Sequence, residues 1–372
     1  MSLMKIGDFI ELVDFRNSDN ALGVNSVRGI STDKRFIATK ANLEGVSLSS
    51  YKLVKPKDFA FVSDTSRRGD KMSLAYNCSD DVYLVSSIST VFHITQEHKI
   101  LPEFLYLWFL RPEFDRYARF HSWGSARETF SFEDMSRIEI PVPDFEIQRQ
   151  LVNVWEGLNG LKVDNDAQAE PLMALCMSYL KKLREEYVPV PIGDFLIPID
   201  ERNTDNAYKE KSVRGIGTSK HFIDTKANLE GVSLSSYKLV APNRFAFVSD
   251  TSRRGDKMSL AFNDTKETFI VSSISTVFEV VNDCTLLPEY LYLWFLRPEF
   301  DRYARFHSWG SARETFNMDD MKRVSIPMPN MSIQQAIVDI FKCAKESKAI
   351  STEAEKLRKA VAPALIQKAI HY

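Results

Sequence analysis

One block of sequence occurs twice in this chain of 372 residues, in register, at a constant offset of 186 positions. Residues 105–130 (LYLWFLRPEFDRYARFHSWGSARETF) return letter for letter as residues 291–316. Over residues 39–130, 20 of the 92 positions differ from their partners and 72 are identical, with no gap. Two near-copies must each bury the same apolar positions, so the chain is expected to fold as two like bodies, a built-in pseudo-dimer. Such a molecule suits a ligand that itself comes in two halves. A chain of this length is also too long for one ordinary core.

Each copy reads as a mixed α/β (α+β) domain followed by a long helix. The expected ranges are 1–145 and 188–331 for the domains, and 146–187 and 332–372 for the helices. Phe59-Ala-Phe-Val62, Val82-Tyr-Leu-Val85 and Ser87 to Phe92 are short apolar runs separated by turn-rich stretches such as Arg68-Gly69-Asp70, which favours strands. From Pro102 the pattern turns helical, with Phe104, Leu105, Trp108 and Phe109 on one face. Pro112 opens a second helix whose Phe114, Tyr117 and Phe120 are expected in the core, and Trp123-Gly124-Ser125 ends it. A last strand, Ile138-Glu-Ile140, runs into Pro141-Val-Pro143.

After that proline pair the period becomes a heptad. Ile147, Leu151, Val154, Leu158 and Leu161 form a 4-3-4-3 seam, repeated by Ile333, Ile337, Ile340 and Ala344. The two seams are expected to pack on each other, although Gly160, Pro171 and Pro363 weaken the helices. Residues 151–186 and 337–372 have drifted apart while the domain bodies have not. That pattern fits two domains that recognise the same thing. The bland alternative is recent gene conversion of the domain segment, and the two readings are compatible.

No apolar run reaches the roughly 18 residues of a membrane span, and no signal peptide opens the chain. Met1-Ser2-Leu3 ahead of Met4 reads as an appended segment, with Met4 the expected natural start. The four cysteines are not paired by the repeat and form no CxxC, so neither a disulfide framework nor a zinc site is indicated. A reducing, cytoplasmic setting follows as the expectation. The net charge of −2 gives no bulk attraction to nucleic acid, so any such binding must come from local basic patches.

A search for catalytic constellations comes back empty. There is no GxxxxGK[ST], no glycine-rich strand-to-helix turn and no Asn/Asp-Pro-Pro-aromatic tetrapeptide. His121 and His307 sit among aromatics, where helix-end packing or a DNA contact is the better reading than catalysis. Two loops look built for binding. The first is Ser63-Asp-Thr65-Ser66-Arg67-Arg68-Gly-Asp-Lys71, repeated as Ser249, Thr251, Ser252, Arg253, Arg254 and Lys257. Arginine forks match guanine or phosphate, and the small hydroxyls match phosphate oxygens; a solvated hairpin tip is the plainer alternative. The second runs from Arg116 to Arg127, where Arg119, Ser125 and Arg127 are the chosen contacts, with Arg305, Ser311 and Arg313 in the other copy. Arg16-Asn17 with Asp19-Asn20-Ala21 also recurs; asparagine can read adenine, but a turn is the simpler role.

The exit of each domain carries a resemblance. Leu101-Pro102, Leu105-Tyr106, Gly124-Ser125, Pro141-Val-Pro143 and Gln148 recur in order as Leu287-Pro288, Leu291-Tyr292, Gly310-Ser311, Pro327-Met-Pro329 and Gln334. With the two-domain, two-helix layout, this resembles the specificity (S) subunit of Type I restriction–modification systems across essentially the whole chain. The resemblance implies that each domain is a target-recognition domain reading one half of a bipartite site in double-stranded DNA. It implies that the helices pack as an antiparallel coiled coil with pseudo-two-fold symmetry, set the spacer, and dock two methyltransferase (M) subunits that methylate adenine. Two restriction (R) subunits can then join. S-adenosylmethionine, ATP and Mg belong to those partners; this chain is expected to hold no cofactor or metal and to catalyse nothing itself. The usual family member has two different readers, whereas these nearly match, so the expected site is an interrupted palindrome. A Type IIB-like system with a fused nuclease–methyltransferase partner, or a DNA-independent pseudo-symmetric scaffold, are the alternatives.

Overall fold

The computed structural model describes residues 3–65, 71–125, 127–225, 227–251, 257–281, 285–311 and 313–370, the side chains of 362 and 365–370 excepted. The chain divides into two compact units, Met1–Asp164 with Ile350–Tyr372, and Asn165–Ala349. Each unit therefore takes one domain body and part of both long helices.

In the first unit, β1 (Leu3–Lys5) pairs antiparallel with the exit strand, residues Glu139–Pro141, setting Leu3 opposite Pro141. The centre is an antiparallel sheet. Its strands are β2 (Ile10–Val13), then three-residue strands at Phe59–Phe61 and Leu74–Tyr76, and Thr90–Ile94. Two ribbons flank it, Arg28–Ile30 with Phe36–Ala38 and Lys52–Val54 with Tyr83–Val85. In chain order these are β3 (Arg28–Ile30), β4 (Phe36–Ala38), β5 (Lys52–Val54), β6 (Phe59–Phe61), β7 (Leu74–Tyr76), β8 (Tyr83–Val85), β9 (Thr90–Ile94) and β10 (Glu139–Pro141). The sheet order is β2-β9-β6-β7.

Alternation along β6 explains why it reads as a continuous apolar run. Phe59 and Phe61 join a large core with Phe92, Phe104, Phe109 and Phe114, while Ala60 and Val62 join Val54, Ala75, Val85 and Val91 on the opposite face. The Phe59 ring stacks on Phe92 at 5.0 Å and meets the edge of Phe109 at 5.9 Å.

The helices are α1 (Pro102–Phe109), α2 (Pro112–Phe120), the short α3 (Phe132–Ser136) and α4 (Phe145–Glu186). Prolines start α1 and α2, where the missing N–H costs nothing. Nearly all of α1 is buried, so it has no polar face. Ser131 and Asp134 form a capping box on α3.

The glutamine of the exit motif has a structural task. Gln148 is fully buried; its Oε1 accepts from Leu101 N at 2.9 Å, and its Nε2 donates to Lys99 O at 2.8 Å and Pro143 O at 2.9 Å. One side chain thus ties the start of α1 and the end of β10 to α4.

The second unit repeats this plan. Its sheet follows the order Leu196–Ile199, Thr276–Val280, Phe245–Phe247, Leu260–Phe262, and its helices are α5 (Pro288–Phe295), α6 (Pro298–Phe306), α7 (Met318–Lys322) and α8 (Met331–Ile370). Gln334 mirrors Gln148, bonding Leu287 N at 3.0 Å and both Thr285 O and Pro329 O at 2.9 Å.

Within this unit the helices run antiparallel. Cys176 on α4 meets Ile337 on α8, and Asp166, earlier on α4, pairs with Lys348, later on α8. Cys176, Leu180 and Leu183 share a core with Ile337, Val338 and Phe341. In the first unit, Leu151, Val152 and Trp155 of α4 enter the main core, and Arg358 of α8 lies over the Trp155 ring at 5.4 Å.

The heptad reading needs one correction. Leu151, Ile337 and Ala344 are buried, and Ile147, Ile333, Ile340 and Leu158 are partly so, but Val154 is 48% exposed and Leu161 51%. Trp155 takes the place expected of Val154: its indole reaches the edge of Tyr106 at 5.6 Å, and the preceding residue is left facing outward. Pro171 and Pro363 lie inside α4 and α8 without ending them. Among the described residues no helix is long and apolar enough to cross a membrane.

Replacing Gln148 by Ala removes the side-chain partner of three backbone groups, Pro143 O in a buried bond and Leu101 N and Lys99 O in part-buried ones, and a stranded buried group costs about 1–3 kcal/mol. Urea unfolding of the full chain should show a loss of at least about 2 kcal/mol; an unchanged midpoint would show that the exit motif is not braced this way.

Candidate nucleic-acid interface

The two candidate loops lie far apart in sequence, and the fold laces them together. Beyond β6, Ser63 O accepts from Phe130 N at 2.8 Å, and Thr65 N donates to Glu128 O at 3.0 Å. The incoming end of the first loop is therefore paired with the outgoing end of the second. The second loop closes on itself: Trp123 N donates to Thr129 O at 3.1 Å and Thr129 N to Trp123 O at 3.0 Å. Gly124 makes the reversal possible, with φ +143° and the position of a Cβ only 2.0 Å from Arg127 O.

The far end of the first loop is held by a buried ion pair. Lys34, on a turn with φ 61°, reaches the Asp115 carboxylate on α2. Its Nζ also donates to Met72 O at 2.8 Å, while Met72 N donates to Asp115 Oδ1 at 2.9 Å. Tyr106 OH, on α1, donates to Lys34 O at 2.8 Å. Burial draws the Lys34 ammonium pKa below its ordinary value, and Asp115 works against that pull. Loop one is thus fastened to the α2 segment at both ends.

The same bonds recur in the second unit: Phe316 N to Ser249 O at 2.8 Å, Thr251 N to Glu314 O at 3.1 Å, and Lys220 with Asp301 and Met258. Gly310 has φ +146°.

Among the chosen residues, Lys71, Ser125 and Arg127 are exposed, as are Lys257, Ser311 and Arg313. Ser63 and Ser249 are half-buried. Arg119 and Arg305 are partly exposed and ion-paired with Glu128 and Glu314, which holds each guanidinium on the surface. Ser66, Arg67 and Arg68, with Ser252, Arg253 and Arg254, lie outside the described residues. Thr65 and Thr251 are corrections as exposed contacts: both are buried, and each hydroxyl donates at 3.1 Å to the same carbonyl its backbone binds. Their role is to hold the loop.

The aromatics give a second correction. Phe120 is 75% exposed and Trp123 68%, with Phe306 and Trp309 alike in the other unit. Helix α2 buries Phe114 and Ala118, four residues apart. Phe120 lies six beyond Phe114 and two beyond Ala118, about 120° and 160° away from them at about 100° per residue. Tyr117 is half-buried and stacks on His121, whose Nδ1 lies 3.0 Å from Tyr117 O. Asn17 is buried and braces its own loop through Leu22, donating to its carbonyl at 2.9 Å and accepting from its N–H at 3.0 Å. It reads no base from there.

Lys34, Arg35, Lys71, Arg116, Arg119 and Phe120 line one groove of about 850 Å³ in the first unit. Cations beside exposed rings, presented by a rigid scaffold, suit a polyanion with stacked bases. Among the described residues no group of three or more His, Cys, Asp or Glu is placed to hold a metal ion.

Residues 185–358 match the family model of the Type I restriction modification DNA specificity domain. Residues 185–358 are thus similar to the specificity domain of this family. The first copy, with 72 of 92 positions identical to the second over residues 39–130, is the same domain again. The specificity-subunit family is a DNA-recognition family and not itself catalytic. The fold agrees. The S subunit of the Type I restriction–modification system from M. genitalium overlays with a TM-score of 0.60 at 11% identity, over 99% of this chain and 95% of that one. The HsdS subunit from Thermoanaerobacter tengcongensis gives 0.39 at 17% identity, over 99% and 96%. No curated protein matches in sequence.

Asp115→Ala should strand the Lys34 ammonium in the core, at a cost of about 3–5 kcal/mol. Denaturant unfolding measures the loss, and Asp115→Asn, which keeps an acceptor for Met72 N, should lose less. Equal stability of Asp115→Ala and the parent would remove the pair from the scaffold.

Proposed function

We propose that this chain is the DNA-reading subunit of a restriction–modification complex, each specificity domain reading one half of a bipartite duplex site. The observation that carries this is the surface shared by residues 63–65 and 71 with residues 116–125 and 127, where Arg116, Arg119, Arg127, Lys71 and two exposed rings stand on one compact unit. Arginine forks and lysines supply phosphate and base-edge contacts, and the fixed loops set their register.

Readers this alike select like half-sites. With the two-fold arrangement expected from the repeat, the two halves are inverted, giving an interrupted palindrome. A head-to-tail arrangement would give a direct repeat instead. The seam residues Ile147, Leu151, Leu158, Ile333, Ile337, Ile340 and Ala344 hold the helices that set the spacer, and the outer faces of those helices receive two methyltransferase subunits. S-adenosylmethionine, ATP and Mg are carried by these and by restriction subunits, in the cytoplasm, where the DNA is.

Methylome sequencing of the host with and without the gene tests the reading. The expected result is one adenine-methylated motif with two matching, inverted halves; two unrelated halves would refute identical reading, and no lost motif would refute DNA reading. Replacing Arg67 and Arg253 together should reduce discrimination between the mapped site and mismatched duplexes by at least tenfold, about 1–3 kcal/mol for a bidentate base contact. Undiminished discrimination would assign loop one to scaffolding.

A further inference from the structure

Between β8 and β9 the chain turns through Ser86-Ser87-Ile88-Ser89, closed by Ser89 N donating to Ser86 O at 2.9 Å. Ile88 stands at the tip, 75% exposed, and its counterpart Ile274 is 73% exposed on the same turn. A β-branched aliphatic is a poor turn former beside Gly, Asn, Asp or Ser, and at this exposure it contributes little packing.

The repeat sharpens the anomaly. Every position of 78–84 and every position of 93–100 differs between the copies, yet 85–92 and 271–278 are identical. Val85, Val91 and Phe92 are buried and explain themselves. The tip does not. Some exposed apolar residues have become Pro or Glu in the second copy, Leu12 facing Pro198, Phe15 facing Glu201 and Val24 facing Glu210, whereas Ile37 and Val46 persist as Ile223 and Val232 at about half the exposure of Ile88.

Position supplies the reason. Thr90 pairs with Phe61, the last residue of β6 before the chain runs into Ser63 and Thr65, and Phe61 also pairs with Leu74, where that loop returns. The turn and the first loop therefore leave the same end of one sheet from neighbouring strands. The second unit has the same register, Thr276 opposite Phe247.

We propose that Ile88 and Ile274 are specificity-determining residues, each packing on the C5-methyl group of a thymine in its half-site. That methyl is the apolar feature of a major-groove base edge, and the hydroxyl of the preceding serine, Ser87 or Ser273, suits the polar groups beside it, whereas Ser89 and Ser275 are buried. The inference rests on the DNA-reading function above.

The test uses the full chain assembled with its methyltransferase partner and duplexes carrying the mapped motif, with each thymine replaced in turn by uracil, which removes only the methyl. At one position per half-site, uracil should weaken binding about fourfold, the value of one buried methyl-sized group. The Ile88→Ala/Ile274→Ala protein should bind thymine and uracil duplexes alike, with its melting temperature unchanged. Ile88→Val/Ile274→Val should keep part of the discrimination. A parent complex indifferent to uracil everywhere, or a uracil effect that survives in the alanine protein, overturns the assignment while leaving DNA reading intact. A parent complex that selects no duplex overturns the DNA-reading function itself.

Discussion

The buried Lys34–Asp115 pair is the contact on which the recognition surface depends. An ion pair in a core earns its place only when every remaining polar atom is satisfied, and here much of that satisfaction comes from the backbone at the returning end of the loop that must be positioned. Met72 gives its carbonyl to the lysine and its N–H to the aspartate, and Tyr106 secures the turn on which Lys34 stands. A purely apolar core would hold the sheet against α1 and α2 as firmly. It would not fix the height at which the chain leaves the sheet beside α2, because apolar contacts are not directional.

Much of this was legible in the sequence, and the parts that were not share a cause. The strands, the proline-started helices and the exit motif follow from local pattern: β6 is apolar throughout because both its faces are buried, and Pro102 and Pro112 can only begin helices. The two candidate loops were found separately because their residue types fit a polyanion. Their joining by Ser63–Phe130 and Thr65–Glu128 bonds is a pairing across more than sixty residues, which no local pattern encodes. The same long-range bonds bury Thr65, so a hydroxyl that suits a phosphate became a loop brace. Phe120 was misplaced for a geometric reason. It follows Tyr117 at helical spacing, but the buried line of α2 is set by Phe114 and Ala118, and small Ala118 does not announce itself.

The long helices show a related limit. An aliphatic heptad is easy to read, yet the buried line here is made as much from Trp155, Ala169, Cys176, Ser347 and Ser351 as from isoleucine and leucine. Small residues let backbones approach, and one tryptophan fills what they leave. This also fits the drift between the helical segments, since a seam held by size and shape tolerates many substitutions of similar volume.

The division of the chain bears on its synthesis. The second body, Asn165–Ala349, is one continuous stretch, whereas the first draws on Met1–Asp164 and on residues from Ile350 onward. Domains emerging from a ribosome usually finish in order from the N-terminus. Here the later-made body is complete first, and the earlier one waits with the Trp155 face uncovered until Arg358 and its neighbours on α8 have been translated.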